Sequence, residues 1–288
     1  MARMIRVRRG TDAGVHWAVA ETRPPAPLAD LVAGYRSFRE FSPAPVVRRE
    51  PPRSGLVLVL NRDTPISLTR EHPARTGSAP AGALVGIGQL SVEAAHDGSQ
   101  DVLEVRLSPL AALRIFGITG NEVADRVIDL VDLWGKYGRA LLEQFAAADS
   151  SQERFDVLDS ALISGAERGR ELDPVLVGAW QAVLTRGGAL TMRELQDQTG
   201  WSRRRLAERF RAQVGLTPKA AARLVRYEHA AQLLRRPGTR SIASIALTCG
   251  YFDQAHLNRD FRDFTGCTPS SFRTALRTDP AGAAMACD

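Results

Sequence analysis

The sequence predicts an α+β protein: a β-rich N-terminal barrel or sandwich with following helices, and then an all-α domain. Three observations predict this fold class. The first 110 residues hold short apolar or alternating runs separated by turn-forming residues, the apolar period becomes helical from Ser108, and the last hundred residues repeat one helical pattern. A chain of 288 residues is long enough for two such domains. We predict an N-terminal domain over 1–170, a C-terminal domain over 174–278 and a tail over 279–288.

The first domain is expected to contain many short strands. Their apolar residues alternate or form short runs, and turn-forming Pro, Gly and Asn residues lie between them. Short strands at this spacing are typical of a small barrel or sandwich. The predicted strands cover residues 16–20, 35–41, 46–49, 55–60, 66–69, 83–87, 90–95 and 102–107.

Helices are predicted to follow these strands. Ser108 and Pro109 form a helix cap and a first-turn proline, and further helices are expected over 120–127, 131–147 and 151–168. The last two helices carry apolar stripes, which consist of Leu133, Tyr137, Leu141, Phe145, Phe155, Leu158 and Leu162. Two interpretations of the stripes stay open: they form a dimerisation surface, or they pack against their own barrel.

The positive charge of the chain is concentrated in the second domain. The whole chain has a formal net charge of +6, whereas residues 174–278 hold seventeen Lys or Arg against seven Asp or Glu. An excess of this size is typical of proteins that bind the phosphate backbone of nucleic acid. A solvated basic face is the alternative interpretation, so the charge needs support from a structural pattern.

The second domain contains an internal repeat. Residues 191–200 and 241–250 each begin with a hydroxyl side chain, carry apolar residues at the second and fifth positions and end on glycine. That pattern predicts a short amphipathic helix. A second helix follows in each copy, capped by Ser202 and by Asp253. From there the copies keep an offset of fifty-one residues, and six of sixteen aligned positions are identical, including a Gly-x-Thr-Pro motif.

Two short helices joined by a glycine turn form a helix-turn-helix unit, whose second helix enters the major groove of DNA. We place the two units at about 191–211 and 241–262 and join them by one long helix over 218–236. This helix spans about 27 Å, and one turn of DNA is about 34 Å. Both second helices can therefore reach successive turns of the groove. A helical bundle with solvated arginines is the alternative interpretation.

Polar side chains rich in arginine lie opposite the core face of each second helix. Arginine binds guanine O6 and N7 bidentately, which is the commonest specific base contact. The helical spacing places Arg204, Glu208 and Arg211 on this side of the first unit. In the second unit it places there Arg259 and Arg262, with His256 and Asn258 on the flanks.

The second domain resembles the AraC/XylS family of bacterial transcription regulators over about residues 180–277. The most specific stretch is 242–273, which follows the family pattern from an isoleucine-alanine helix through Gly-Tyr to Phe-Arg, Gly and Thr-Pro. The resemblance implies a seven-helix domain with two helix-turn-helix units. It also implies a transcription regulator that binds double-stranded DNA; we favour activation, although the sequence leaves repression open.

The resemblance also assigns base-reading residues by position. They fall on Arg204, Ala207 and Glu208 in the first unit and on Gln254, Asn258 and Arg259 in the second. The full predicted DNA-contacting set is Arg203, Arg204, Ala207, Glu208, Arg211, Gln254, His256, Asn258, Arg259 and Arg262.

The first unit departs from the family pattern at two positions. Gln196 replaces a small alanine, and Glu208 stands where a cation or an amide is common. A carboxylate there either accepts a hydrogen bond from cytosine N4 or weakens binding at the first half-site.

The first domain more loosely resembles the regulatory domains of an actinobacterial-type subgroup of the same family. The stretches that carry this resemblance are 82–88, 105–113 and 125–135. They imply a regulatory role, but they identify neither an effector nor the residues that bind it.

No catalytic, cofactor-binding or metal-binding motif is recognised. One Gly-x-Gly stretch begins a dinucleotide-binding fingerprint but lacks its third glycine, and His16, His72 and His96 follow no metal-ligand spacing. The three cysteines indicate neither a zinc site nor a disulfide framework. The alternative function is a small-molecule-binding or catalytic protein with a helical support domain.

We expect the protein to act in the bacterial cytoplasm, because neither a secretion signal nor a membrane-spanning stretch is recognised. The partners expected besides double-stranded DNA are RNA polymerase, a small-molecule effector and a second copy of the chain. No cofactor is expected.

Overall fold

The computed structural model describes residues 4–12, 14–62, 66–70, 76–79, 81–236, 238 and 240–278. The predicted tail, His72 and Cys287 lie outside the described residues. Within the described ranges, no helix has the length and apolar character needed to cross a membrane.

The N-terminal part is built from two antiparallel sheets. The larger sheet has the strand order β1-β2-β3-β10-β5-β8-β11, and the smaller one has the order β4-β9-β6-β7. The strands are β1 (Arg6–Asp12), β2 (Val15–Thr22), β3 (Val32–Phe41), β4 (Val46–Glu50), β5 (Leu56–Asn61), β6 (Ile66–Arg70), β7 (Thr76–Ala79), β8 (Gly82–Val85), β9 (Val92–His96), β10 (Ser99–Leu107) and β11 (Val127–Asp129). The predicted barrel or sandwich is therefore confirmed as a two-sheet fold.

The larger sheet buries both of its faces. Along β5, Val57 and Val59 pack into the space between the two sheets, whereas Leu58 and Leu60 belong to the main core. The main core also contains the helices that follow the strands. This arrangement follows from the period of two along a strand, which turns successive side chains to opposite faces.

The helices of the N-terminal part cover the outer face of this sheet. They are α1 (Ala111–Phe116), α2 (Gly120–Val123), α3 (Leu130–Trp134), α4 (Lys136–Ala147) and α5 (Ser151–Arg168). Leu141 and Phe145 of α4 and Phe155, Leu158 and Leu162 of α5 are fully buried in the core of the chain. These five residues therefore pack against their own domain, whereas Leu133 is half-buried and Tyr137 is 40% exposed.

Two predicted helices are shorter in the structure. The helix expected over 120–127 ends at Val123, because Ala124 has extended backbone and Asp125 has a positive φ of 55°. The chain then forms β11, which pairs with β8. The helix expected over 131–147 is divided at Gly135, whose φ is 58°.

Besides β11, two strands were not predicted. The sequence of β1 is mostly charged and carries no apolar alternation, yet the strand forms by pairing along its whole length with β2. The short β7 pairs with β6 at the edge of the smaller sheet.

The C-terminal part is helical. Its helices are α6 (Pro174–Thr185), α7 (Met192–Thr199), α8 (Arg203–Val214), α9 (Pro218–Arg235), α10 (Ile242–Thr248), α11 (Gln254–Thr265) and α12 (Pro269–Thr278). All seven helices begin with a side chain that accepts a hydrogen bond from the backbone of the first turn, and these capping residues are Asp173, Thr191, Ser202, Thr217, Ser241, Asp253 and Thr268. The first unit is α7 with α8, the second unit is α10 with α11, and α9 joins them.

The described cysteine side chains are buried in the helical part of the chain. Cys249 is a free thiol that is buried like a small apolar side chain. Cys267 is buried as well, but it is disulfide-bonded, which the sequence analysis did not expect. In the ranges that the structure covers, no group of three or more His, Cys, Asp or Glu residues could hold a metal ion.

Candidate nucleic-acid interface

The second helix of each unit is anchored by its apolar face. In α8 the side chains of Leu206, Phe210 and Val214 are fully buried. In α11 the equivalent Leu257 and Phe261 are fully buried as well. The opposite face of each helix is consequently held toward solvent.

An aromatic cluster adds to the anchoring of α11. The ring of Tyr227 on α9 lies 5.1 Å from the ring of Phe261 and 4.8 Å from that of Phe264. Phe272 of α12 contacts Phe261 at 5.1 Å in an edge-to-face arrangement. Such aromatic pairs stabilise packing beyond the area that they bury, so α11 is fixed against both α9 and α12.

A charged pair also fastens α11 to α9, and the sequence analysis did not find it. Arg223 Nε donates to the buried carboxylate of Asp260 at 2.8 Å, and a second guanidinium nitrogen donates to Asp263. The guanidinium lies 4.6 Å from the ring of Phe264. Partial burial acts to lower the pKa of Arg223, but the bonds to Asp260 and Asp263 outweigh it and raise the pKa. The first unit carries Arg209 at the position of Asp260.

The structure places the predicted DNA-contacting residues on the open faces of α8 and α11. Most are exposed, and Ala207, His256 and Asn258 are half-buried. The exposed members are Arg203, Arg204, Glu208, Arg211, Gln254, Arg259 and Arg262. The two sets occupy repeat-equivalent surfaces, because α8 and α11 begin fifty-one residues apart and both contain 12 residues.

On the open face of α8, the charge of one arginine is partly neutralised by a carboxylate of the same helix. Arg204 Nε donates to Glu208 Oε1 at 2.8 Å within α8, and this bond raises the pKa of Arg204. The carboxylate of Glu208 is thus already accepting a hydrogen bond before DNA is present. In contrast, within the described part of the chain, no carboxylate pairs with Arg259 or Arg262 of the second unit.

His256 has a second contact. Its ring lies edge-on to the buried ring of Tyr251, with the centroids 5.1 Å apart, and its backbone N–H donates to the cap Asp253 at 2.7 Å. Part of the His256 side chain therefore packs the turn of the second unit.

Two exposed arginines near the first unit were not predicted. Arg193 on α7 has a side chain that is 92% exposed and lies 4.0 Å from Asp197. The guanidinium of Arg205 lies 5.2 Å from the ring centroid of Trp201. The first helix of such a unit crosses the DNA backbone. An arginine on the polar side of α7 could therefore have been predicted from the sequence as a phosphate contact.

The first domain holds a cavity between its two sheets. Its volume is about 90 Å³. Its middle is apolar and is lined by Phe38, Val59, Leu68, Val92 and Val102. An apolar lining with a few polar groups at its edge is typical of small-molecule sites. The sequence analysis did not place an effector site.

Charged groups lie along the wall of this cavity. Arg48 forms a bidentate pair with the buried Glu40, to which Gln100 Nε2 also donates at 2.6 Å. His96 Nδ1 accepts from the N–H of Gly98 at 3.2 Å, which leaves its Nε2 to face Glu40 at 3.3 Å. Burial acts against ionisation of Glu40, but the bonds from Arg48, His96 and Gln100 outweigh it and lower the pKa to about 2.

A second charged group lies near the β4–β5 loop. Arg53 lies 3.8 Å from Glu50, and Arg36 lies 3.6 Å from Glu104. Burial raises the pKa of Glu50 despite the nearby arginines. All four side chains line the same cavity.

Comparison with known proteins identifies the helical part. A family model described as a helix-turn-helix domain matches residues 195–275. ToxT from Vibrio cholerae has a similar structure, with a TM-score of 0.50 at 11% identity over 83% of this chain and 97% of ToxT. ToxT from strain SCE256 with a bound unsaturated fatty acid gives a TM-score of 0.51 at 10% identity over 84% and 95%.

A transcriptional regulator with an AraC-type DNA-binding domain, from Chromobacterium violaceum, is 28% identical over 37% of this chain and 95% of its own, with a TM-score of 0.34. No curated protein sequence matches the chain. The ToxT-like fold thus extends over both parts of the chain, and the family model falls on the two units described above. The helical part is thus a helix-turn-helix domain, and its likeness to the AraC/XylS type confirms the resemblance found in the sequence.

Proposed function

We propose that the protein is a transcription regulator that reads a two-part site in double-stranded DNA, with one half-site for each helix-turn-helix unit. The observation that carries the proposal is the pair of repeat-equivalent helices α8 and α11, each buried on one face and exposed and polar on the other. Gln254, Asn258 and Arg259 would read the second half-site. The paired Arg204 and Glu208 would read the first.

The joining helix supports the two-part site. It contains 18 residues, which corresponds to about 27 Å, and its core face is buried against both units. A rigid connection of this length places two recognition helices about one turn of DNA apart, or about 10 base pairs. The DNA-binding domain of 174–278 and the regulatory domain of 1–170 remain our proposed division of the chain.

Selection of sites from a pool of randomised double-stranded DNA tests this function with the full-length protein. We expect two enriched motifs at one fixed spacing of about 10 base pairs, centre to centre. The variant Arg259→Ala should lose enrichment at one motif only. The matched control is Arg139→Ala, an exposed arginine of α4. Failure to enrich any sequence would contradict the proposal.

The cavity supports control by a small molecule. Its apolar middle and its charged ends suit a molecule with an apolar body and one or two hydrogen-bonding groups. ToxT, which shares the fold, has been solved with a bound unsaturated fatty acid. Native mass spectrometry of the purified protein, followed by thermal unfolding with a panel of aliphatic and aromatic carboxylic acids, tests for such an effector. An unchanged mass and unchanged unfolding across the panel would count against this class of ligand.

The remaining expectations concern partners and setting. We infer that the protein acts by binding and not by catalysis, in the cytoplasm where its DNA lies, and that it activates transcription through RNA polymerase. Transcription in vitro from a template carrying the selected site tests activation. A second copy of the chain stays a proposed partner, but it would need a surface other than the buried stripes of α4 and α5. Sedimentation of the full chain at micromolar concentration tests that association.

A further inference from the structure

The first domain contacts both recognition helices at equivalent positions of the repeat. Gly215 ends α8 with a φ of 89°, and Gly266 ends α11 with a φ of 79°. The two glycines are fifty-one residues apart, which is the repeat offset. Each lies against a segment of the N-terminal domain, whereas the faces that carry the arginines stay exposed.

At Gly215 the contact is a close approach of two backbones. A Cβ atom added at Gly120 of α2 would lie 2.5 Å from the carbonyl oxygen of Gln213 and from the nitrogen of Gly215. From the other side, a Cβ at Gly215 would lie 3.0 Å from Ile87 Cγ2. Only glycine on both sides permits this approach, so α2 is seated on the C-terminal end of α8.

At Gly266 the contact is a charged side chain. A Cβ atom added there would lie 3.1 Å from Arg49 Nη1, and Arg49 is oriented by its Nε, which donates to Ser91 Oγ at 2.7 Å. The C-terminal end of a helix carries a partial negative charge, which a guanidinium stabilises. The guanidinium of Arg49 on β4 therefore lies next to the C-terminal end of α11.

A third contact reaches the helix that joins the two units. The backbone N–H of Ser54 donates to Glu228 Oε2 of α9 at 3.2 Å, and the Ser54 hydroxyl donates to the same oxygen. Hydrogen bonds to a charged acceptor are stronger than neutral ones. The three contacts together, at Gly215, Gly266 and Glu228, are called the clamp below.

The segments that make the clamp also form the wall of the cavity. Pro51, Pro52 and Arg53 line it from the loop that carries Ser54, and Gly86 lines it from the end of β8. The N–H of Gly86 donates to the carbonyl of Arg126 at 2.8 Å, and a Cβ at Gly86 would collide with the carbonyl of Val123 in α2. A displacement of this wall cannot be absorbed without moving α2 or the Ser54 loop.

We propose that Arg49 and Glu228 are positioning residues of a clamp through which the filling of the cavity changes the placement of both recognition helices together. The inference rests on the proposed reading of DNA by α8 and α11. It assigns a route of regulation to that function: from the cavity wall to equivalent ends of the two helices. Because interfaces between packed elements have discrete arrangements, a small change at the wall shifts both ends.

A double-mutant cycle tests the clamp without a known effector. Ala94 lines the cavity, so Ala94→Phe fills part of it with a side chain of the protein itself. Ala95→Phe, on the other face of the same strand β9, is the matched control. The two side-chain contacts of the clamp are opened by Arg49→Gln with Glu228→Gln, called the open clamp below, and the control for those changes is Arg139→Gln with Glu143→Gln on the exposed side of α4.

We expect Ala94→Phe to change the affinity for the selected two-part site by about fivefold or more with the clamp intact. The change should fall below about twofold when the clamp is open, because coupled residues give non-additive effects. Equal changes in both backgrounds would overturn the proposal.

Hydrogen exchange supplies a readout that needs neither DNA nor Ala94→Phe. Opening the clamp should raise amide exchange at the C-terminal ends of both α8 and α11, whereas the α4 control leaves both unchanged. Faster exchange at one end alone, or at neither, would contradict the clamp. If the full chain bound no DNA sequence, the proposed function would fail, and the exchange result would still decide the clamp.

Discussion

The two helix-turn-helix units share a fold but differ in how their charges are used. In the second unit, a carboxylate of the recognition helix is buried against α9, and the arginines of the open face have no ion pair in the described part of the chain. In the first unit, Arg204 on the open face is paired with Glu208 on the same helix. The comparison indicates that the second unit is the more rigid of the two and the better provided with free cations, and that the first unit must break or share a pair to read DNA.

The largest expected difference concerns stability. Asp260→Ala should lower the free energy of unfolding by about 2–3 kcal/mol, because it leaves the partly buried Arg223 without its buried partner. The repeat-equivalent change Arg209→Ala should cost about 0.5 kcal/mol or less, since Arg209 is half-exposed and lies 3.9 Å from Asp173. Urea unfolding of the full chain measures both. Similar losses for the two variants would contradict the asymmetry in anchoring.

The next difference concerns DNA affinity. Arg259→Ala should weaken binding to the selected site by about 1–3 kcal/mol and relax base preference in the second half-site only. Arg204→Ala should cost less, because Arg204 gives up its bond to Glu208 when it binds DNA. Titrations with matched and half-site-scrambled duplexes measure the two losses. An equal weakening on every sequence would instead make Arg259 a phosphate contact.

Where the units are alike, their variants should behave alike. Ser202 and Asp253 cap α8 and α11 with the same hydrogen bond to the third residue of the helix. Ser202→Ala and Asp253→Ala should each lower the free energy of unfolding by about 1 kcal/mol. Thermal unfolding of the two variants checks this equality. A marked difference would mean that the caps act through contacts outside their own helices.

The smallest effect is expected at the charged pair of the first unit. Glu208→Gln should tighten binding to DNA by about two- to fivefold at low salt and make it more dependent on salt, because Arg204 becomes free to bind phosphate or base. Affinity measured over a series of salt concentrations gives the slope. A weaker and less salt-dependent complex would show that the carboxylate itself accepts a hydrogen bond from a base.

The helical domain could be predicted from sequence because its signals are local. Capping side chains, ending glycines and apolar spacing define α7, α8, α10 and α11 within one or two turns of chain, and each copy of the repeat supports the other. The open faces of α8 and α11 follow from the same spacing. The ion pair between Asp260 and Arg223 could not be predicted, because it joins residues on different helices. The repeat gave no help, since the first copy has an arginine at the position of Asp260.

The N-terminal part shows where local signals fail. The charged strand β1 carries no alternation and forms only because β2 offers a complete partner. The sequence after Val123 was predicted to continue a helix, but it forms β11 because it pairs with β8. The cavity and the clamp depend on which loops meet in space. A glycine such as Gly120 gives no hint in the sequence that it faces another backbone.

The joining helix α9 has a practical consequence for finding the genes that this protein controls. Its 18 residues keep the two units at a fixed separation. DNA rotates by a full turn in about 10.5 base pairs, so a few inserted base pairs would carry one half-site to the other side of the duplex. A genome search can therefore treat the spacing as a constant and score only the two short motifs. Pairs at any other separation can be discarded before either motif is scored.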